Sequence, residues 1–284
     1  MEEFIVASVA VYGHEYNLHS DKINDMGPFD KTYLAEGDSW MDRSSLTQLS
    51  LPYYLAMEAN ARGRSVLIIN VAKAGDTMRN ISSVMQGEFM WWLKQFTYNG
   101  ILFSAGGNDF IDAARDAPPG KGLLRDMTGQ PLPADGYECV EPAALSALVK
   151  NYLDPNFDKL AKAIRASTQN GNTPVYLNCY DTPTARNARA APDIGPWLYT
   201  AYQKNHIDSS LWLALTAGIF RDVKQTVTGF ALRNANVSTV PTTGVLSPAA
   251  ENTTGSSGDW ANEIHPNASG WAKLAKVWAD ELGL

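Results

Sequence analysis

Apolar residues along this chain follow two alternating patterns. Short apolar runs, each bounded by turn residues, have the length of buried strands and fall at residues 32–35, 65–71, 101–105, 174–180 and 237–240. Between these runs, apolar residues recur every three or four positions, which is the spacing of helices that bury one face. Strands that alternate with helices in this way are typical of a parallel sheet covered by helices. The pattern therefore predicts an α/β fold.

Two regions interrupt the alternation. Residues 1–31 contain strand-like runs that do not clearly belong to it, and we interpret them as an N-terminal extension. Residues 111–141 are rich in proline and glycine, a composition that indicates an irregular insertion rather than a linker between domains. The sequence contains no internal repeat and no low-complexity tract. It therefore predicts a single domain over residues 1–284.

The composition argues against several functional classes. The 284 residues are 45% hydrophobic and include 23 basic and 30 acidic side chains, which gives a net charge of −7. Binding of nucleic acid or of an anionic membrane surface depends on clustered basic residues, and the sequence has no basic stripe. No apolar run reaches the roughly 18 residues of a membrane-spanning helix. We expect neither a nucleic-acid partner nor a transmembrane segment.

The first residues and the cysteines leave the cellular compartment open. The sequence starts with Met-Glu-Glu-Phe, which is acidic where a secretory signal needs a basic region. The chain is expected to be either cytoplasmic or a mature secreted form that lacks its leader. Cys139 and Cys179 are too few for a disulfide framework or a zinc site. The sequence does not tell whether they pair.

Three successive predicted strands end in residues that suit acyl transfer. The first ends in Gly-Asp-Ser, so that Ser39 lies where a strand passes into a helical stretch, a suitable place for a nucleophile. In a doubly wound sheet of order 2-1-3-4-5, Gly75 and Asn108 flank Ser39 at the carboxyl edge. The N–H groups of Ser39 and Gly75 and the Asn108 amide would form an oxyanion hole. Taken singly, each residue also suits a turn or a helix cap.

A serine nucleophile needs a general base, and histidine is the usual one. The sequence contains four histidines. His265 is the best candidate among them because it lies in a loop just before the last predicted helix. A loop that follows the fifth strand also lies at the carboxyl edge of the sheet.

These residues together resemble the SGNH/GDSL hydrolases, a superfamily of serine esterases and lipases. Four blocks define that family: a serine in Gly-Asp-Ser, a glycine, an asparagine in Gly-x-Asn-Asp, and a histidine in Asp-x-x-His. The resemblance implies a flavodoxin-like three-layer α/β/α sandwich with about five strands and no cofactor or metal. It implies Ser39 as nucleophile, His265 as base, and Ser39, Gly75 and Asn108 as oxyanion donors.

The fourth block departs from the family pattern. Asn262 stands three residues before His265, where the family has an aspartate. An asparagine oxygen can orient the imidazole ring but brings no charge to stabilise the imidazolium. Three alternatives remain: Asn262 orients the ring, Asp259 reaches in from six residues upstream, or a backbone carbonyl takes the role. We favour Asn262 at this position, with Asp259 as the candidate to supply charge.

The hypothesis from the sequence is a serine carboxylester hydrolase that acts on small or short-chain acyl esters through an acyl-enzyme. A carbohydrate O-acetyl esterase or an acyltransferase of the same fold is an alternative, with a small-molecule or glycan ester as substrate. A non-catalytic binding module is the alternative from another class, and the missing acid is its main support. Trp40 follows the nucleophile directly and is the candidate for substrate binding.

Overall fold

The structure is a computed structural model. It describes residues 7–13, 29–42, 50–84, 86–117 and 121–284. Most of the predicted N-terminal extension, three residues of the predicted insertion and the segment 43–49 lie outside the described residues.

The described residues form a parallel sheet of six strands. The strands are β1 (Val9–Tyr12), β2 (Lys31–Gly37), β3 (Val66–Asn70), β4 (Gly100–Ser104), β5 (Val175–Asn178) and β6 (Val237–Val240). Their order is β1-β3-β2-β4-β5-β6. If β1 is set aside, this is the predicted order of five strands, so the predicted α/β fold is confirmed. The difference is β1, which belongs to the predicted extension and pairs with β3 at the sheet edge.

The centre of the sheet differs from its edges in burial. All residues of β3 and β4 are buried, whereas all four residues of β1 are half-buried. A parallel sheet that is covered on both faces produces continuous apolar strands at its centre. The partial exposure of β1 explains why its sequence did not stand out from the extension.

Helices cover the sheet in two groups. The α-helices are α1 (Leu51–Ala61), α2 (Gln86–Gln95), α3 (Gly107–Ala114), α4 (Pro142–Ala147), α5 (Asp154–Arg165), α6 (Leu198–Lys204), α7 (Trp212–Leu232) and α8 (Ala268–Glu281). α1 packs against α8, while α5 packs against both α2 and α7. β6 contacts α7 as well as α8, as expected for a strand between two helical layers. None of the described helices is both long and apolar enough to cross a membrane.

Single turns of other helix types complete the described elements. They are π-helical at Asn80–Val84 and Leu148–Leu153 and 3₁₀-helical at Gly136–Cys139 and Ser209–Leu211.

The predicted insertion is partly ordered by regular elements. α3 runs to Ala114, and the 3₁₀ turn Gly136–Cys139 is capped by the side chain of Asp135. Leu124 also forms an isolated antiparallel bridge with Val140. The irregular part is therefore shorter than the proline and glycine content suggested.

The two cysteines do not pair. Cys139 and Cys179 are both buried free thiols. Burial raises the pKa of both thiols.

Candidate active site

A serine and a histidine from distant parts of the chain meet at the carboxyl edge of the sheet. Ser39 lies on the turn after β2, and His265 lies in the loop before α8. Ser39 Oγ and His265 Nε2 are 2.8 Å apart, within hydrogen-bond distance. Both side chains are buried. This pair has the geometry of a nucleophile and its general base.

The turn that carries Ser39 depends on a glycine. Gly37 has φ 141°, and a Cβ atom there would lie 2.2 Å from the carbonyl oxygen of Ser104 on β4. The next residue, Asp38, donates its N–H to that same carbonyl at 3.0 Å. Only glycine allows the two strand ends to approach so closely. The approach delivers Ser39 directly above the sheet edge.

Asp38 points inward from this turn and is buried. Its carboxylate accepts hydrogen bonds from the Trp40 N–H at 3.0 Å, the Ser104 hydroxyl at 2.9 Å and the Tyr180 phenol. Burial raises the pKa of Asp38 to about 6, and the three donors oppose that rise by stabilising the charged form. These hydrogen bonds hold the Asp38 carboxylate in the protein interior, and it makes no hydrogen bond to His265.

The other ring nitrogen of the histidine is held by Asn262. His265 Nδ1 lies 3.0 Å from Asn262 Oδ1, and the same oxygen accepts the N–H groups of Ile264 and His265 at 3.1 and 3.0 Å. Because a carbonyl oxygen only accepts, Nδ1 carries the proton and Nε2 presents a lone pair to Ser39. Burial lowers the pKa of His265 to about 3, so the ring is neutral at neutral pH. Asn262 Nδ2 is buried and finds no partner among the described residues.

The expectation that Asp259 supplies charge to His265 does not fit this geometry. The Asp259 carboxylate forms an ion pair with Lys273 and accepts from Ser247 N–H at 2.6 Å and Ser269 Oγ at 2.9 Å. These partners lower the pKa of Asp259 to about 2, against the opposing effect of burial. The carboxylate therefore serves the start of α8, and Asn262 occupies the position beside Nδ1.

Glu263, which lies between Asn262 and His265 in the sequence, is a buried glutamate that was not predicted as a site residue. Glu263 is 0% exposed, and its carboxylate accepts the backbone N–H groups of Arg186, Trp197, Leu198 and Tyr199. Burial raises its pKa to about 7, and the four donors oppose this rise. These bonds attach the loop of His265 to the irregular segment between β5 and α6 (residues 179–197) and to the N-terminus of α6.

Arg186 fastens the same loop from the irregular segment. Its guanidinium donates to the backbone carbonyl of Asn262 at 2.7 Å and to the carbonyls of Thr253 and Gly255. The side chain is fully buried, and this desolvation lowers its pKa. Arg186 lies in a segment whose sequence has neither helical nor strand periodicity. The sequence therefore gives no indication of its partners.

The three candidate oxyanion donors follow the adjacent strands β2, β3 and β4. The N–H groups of Ser39 and Gly75 have no acceptor among the described residues. The Asn108 amide donates one hydrogen to the carbonyl of Asp76 at 2.9 Å, and its second hydrogen stays available. The Gly75 loop is tied to the nucleophile turn because the Lys73 N–H donates to the Gly37 carbonyl at 3.0 Å. All three groups are thus held near one sheet edge.

A small cavity lies beside Ser39. It measures about 10 Å³, and Ser39, Asn108, Ile111 and Phe220 are among its lining residues. Trp40 also contributes to the wall, but it is only 4% exposed and its indole donates to the Ile264 carbonyl at 3.3 Å. Its observed contacts are those of a packing residue between the nucleophile turn and the histidine loop. A substrate contact by Trp40 stays a prediction.

Several solved structures of lipases and esterases share the fold of this chain. An extracellular lipase from Streptomyces rimosus is 17% identical, with a TM-score of 0.53 over 88% of this chain and 99% of that one. Phospholipase A1 from Streptomyces albidoflavus NA297 is 14% identical, with a TM-score of 0.51 over 88% and 98%. A catalytic mutant of Axe2, an acetylxylan esterase from Geobacillus stearothermophilus, is 14% identical, with a TM-score of 0.50 over 90% and 95%.

Sequence comparison alone does not reveal this likeness. No protein-family model matches the chain, and no curated protein matches it in sequence. At the identities above, the structural likeness establishes the fold, and the chemistry must be argued from the residues themselves.

Proposed function

We propose that the chain is a serine carboxylester hydrolase with Ser39 as nucleophile and His265 as general base. The observation that carries the proposal is the 2.8 Å separation of Ser39 Oγ and His265 Nε2. The neutral, correctly protonated ring supports it, because Nε2 can accept the serine proton without first losing one of its own.

The reaction runs through an acyl-enzyme. His265 Nε2 takes the proton of Ser39 as the hydroxyl oxygen attacks the ester carbonyl carbon. The N–H groups of Ser39 and Gly75 and the free hydrogen of Asn108 stabilise the oxyanion that forms. The imidazolium then protonates the leaving alcohol. In the second half His265 takes a proton from the water that attacks the acyl carbon, while the same donors stabilise the oxyanion. The bond between Ser39 Oγ and the acyl carbon then breaks, the proton returns to Ser39 Oγ, and the carboxylic acid leaves.

Asn262 is proposed as the residue that orients the base. Its oxygen accepts from Nδ1 and is itself fixed by two backbone N–H groups. Asn262 provides orientation and the correct tautomer, but no negative charge reaches the imidazolium from this position. Asparagine serves in the same role in papain-like proteases, where a Cys-His-Asn array is active.

The size of the cavity favours small acyl groups. About 10 Å³ beside Ser39 corresponds to roughly one water molecule, so an acetyl group requires less movement of the lining than a long chain. This observation favours an acetyl ester, and one of the three solved structures named above is an acetylxylan esterase by name. A carbohydrate O-acetyl esterase is therefore the second candidate. Transfer of the acyl group to another alcohol would need only an acceptor that outcompetes water.

Hydrolysis of p-nitrophenyl acetate and p-nitrophenyl butyrate, with labelling by a fluorophosphonate, tests the proposal. We expect acetate to be preferred, label to be attached at Ser39, and both signals to disappear in S39A. A chain that neither hydrolyses the esters nor takes the label would contradict the proposal and favour the non-catalytic binding module. An S39A variant with the wild-type rate would remove Ser39 from the chemistry.

A further inference from the structure

A chain of buried hydrogen bonds runs along the carboxyl edge of the sheet beneath the nucleophile. We propose that Tyr180 is a positioning residue, whose phenol locks the Asp38 carboxylate and thereby aims Ser39 at His265. The inference rests on the proposed function of Ser39. It adds a residue that is neither an oxyanion donor nor the general base.

The contact between Tyr180 and Asp38 joins two strand ends. Tyr180 lies two residues beyond the end of β5, and its hydroxyl donates to Asp38 Oδ2. Both side chains are buried, at 3% and 2% exposure. A buried carboxylate is costly unless it is hydrogen-bonded, so this donor is strongly favoured. This hydrogen bond therefore fixes the side chain of Asp38, the residue that precedes Ser39 in the sequence.

The hydroxyl of Ser104 extends the network to β4. It lies 2.9 Å from Asp38 Oδ1 and 3.1 Å from the Tyr180 oxygen, and its single proton serves one of the two at a time. Its oxygen accepts from Asn178 Nδ2 at 3.4 Å, and Asn178 accepts from Thr242 at 3.0 Å. The ends of β2, β4, β5 and β6 are thus connected by side chains. Asp38 is the acceptor towards which the network converges.

The backbone of Tyr180 is held in an unusual conformation. Its φ is 53°, in the left-handed region that is unfavourable for a bulky residue. The Thr243 hydroxyl donates to its carbonyl at 2.9 Å. A conformation of this kind persists only where its surroundings enforce it. Here it directs the phenol towards Asp38.

The same ring also limits the position of the third block. A Cβ atom at Gly107 would lie 3.0 Å from two ring carbons of Tyr180. Gly107 begins α3 and precedes Asn108, the proposed oxyanion donor. The ring also packs edge to face on Trp40, with 5.1 Å between centroids. Tyr180 therefore sets the spacing between the nucleophile turn and the Asn108 helix as well as the position of Asp38.

The test removes only the phenol oxygen. We expect Y180F to lower kcat for p-nitrophenyl acetate about 10- to 100-fold, because a small displacement of a reacting group costs that much. KM should stay within twofold. The fluorophosphonate labelling rate of Ser39 should fall by the same factor as kcat.

Y202F is the matched control. Tyr202 is fully buried and its hydroxyl bonds Thr216 at 3.0 Å, away from Asp38. Both variants lose one buried hydrogen bond and should show a similar fall in melting temperature, but only Y180F should lose kcat. Equal effects of the two variants on kcat would overturn the inference.

A double-mutant cycle with D38N separates action through Asp38 from a general structural effect. If Tyr180 acts through Asp38, D38N and D38N/Y180F have the same kcat, because the second change removes nothing further. Additive losses would contradict the inference, as would a Y180F rate equal to that of wild type. A wild-type chain that neither hydrolyses esters nor takes the label would contradict the proposed function itself, and the inference with it.

Discussion

The two loops that meet at the Ser39–His265 hydrogen bond are held in different ways. The nucleophile turn is held by neighbouring strand ends, through the close approach of Gly37 to Ser104 and the hydrogen bonds of Asp38. The histidine loop has no strand beside it among the described residues. It is held by Glu263 and by buried donors from the irregular segment that precedes α6.

This difference shows what a parallel sheet positions without further help. Strand ends are fixed by register, so short side chains and backbone groups suffice to shape the nucleophile turn. A loop beyond the sheet has no register to rely on. Its backbone is therefore fixed by ionisable side chains, whose hydrogen bonds are roughly twice as strong as neutral ones. The charge missing at Asn262 is thus present nearby, where it supports the backbone and not the ring.

The largest effect is expected when either member of the central pair is removed. S39A, H265A and the double variant should each lose about 10⁵- to 10⁶-fold in kcat, because groups that act as one unit are not additive. S256A, a change at an exposed serine, should keep the wild-type rate. Progress curves with p-nitrophenyl acetate measure all four. A double variant that is far slower than either single variant would show that the two side chains act separately.

The next effect concerns the nucleophile side. N108A should lose about 10²- to 10³-fold in kcat and remain folded, because one oxyanion donor is lost. N80A is the control, since Asn80 also bonds to Asp76 but lies outside the proposed hole. Circular dichroism and steady-state kinetics compare the two. A normal rate for N108A would remove Asn108 from the mechanism.

A smaller effect is expected on the histidine side. E263Q removes the charge that four backbone donors share, and we expect a loss of about 10- to 100-fold in kcat as the ring shifts. The free energy of unfolding should fall by about 1.5–3 kcal/mol, the contribution of a hydrogen bond to a charged group. E138Q changes an exposed glutamate that accepts one N–H at 3.2 Å and should change neither quantity measurably. Urea unfolding and kinetics measure both.

The difference between the Ser39 turn and the His265 loop explains which parts of the structure could be predicted from the sequence. The strand-end positions of Ser39, Gly75 and Asn108 follow from apolar runs and from the rule that parallel strands end at one edge. The strand order was taken from the common doubly wound arrangement. The strand-like run of β1 was recognised but not assigned to the sheet, because it is short and half-buried. Glu263 and Arg186 could not be predicted, since the partners of each lie far away in the sequence, in or beside a loop without periodicity.

Tyr180 illustrates another limit of periodicity. The apolar run at 174–180 predicted that it belongs to a strand, whereas β5 ends at Asn178. A tyrosine is a favoured strand residue, so the pattern gives no reason to place its hydroxyl under the nucleophile. Contacts between the ends of different strands arise from topology and are not encoded in any one local segment.

The smallest effect on kcat is expected at Asp259, just outside the histidine loop. The D259N variant should keep kcat within about twofold of wild type. The wild-type Asp259 carboxylate bonds Lys273, Ser247 and Ser269 and not the imidazole ring of the histidine. N262D, by comparison, would place a carboxylate beside Nδ1 and should raise the pKa of His265. The acid limb of the kcat/KM profile should then move to higher pH in N262D and stay in place in D259N. A large fall in turnover for D259N would return that residue to the catalytic array.

The pH dependence of the free energy of unfolding gives a second test of the role of Asp259. The pKa of Asp259 is lowered to about 2 in the folded chain, against about 3.9 for an unperturbed aspartate. The stability that its ionised form contributes is therefore complete above about pH 4 and is lost as the pH falls towards 2. The difference in unfolding free energy between wild type and D259N should be constant above pH 4 and shrink below it, as urea titrations at several pH values would measure. A difference that stays constant down to pH 2 would mean that the Lys273 ion pair does not stabilise the start of α8.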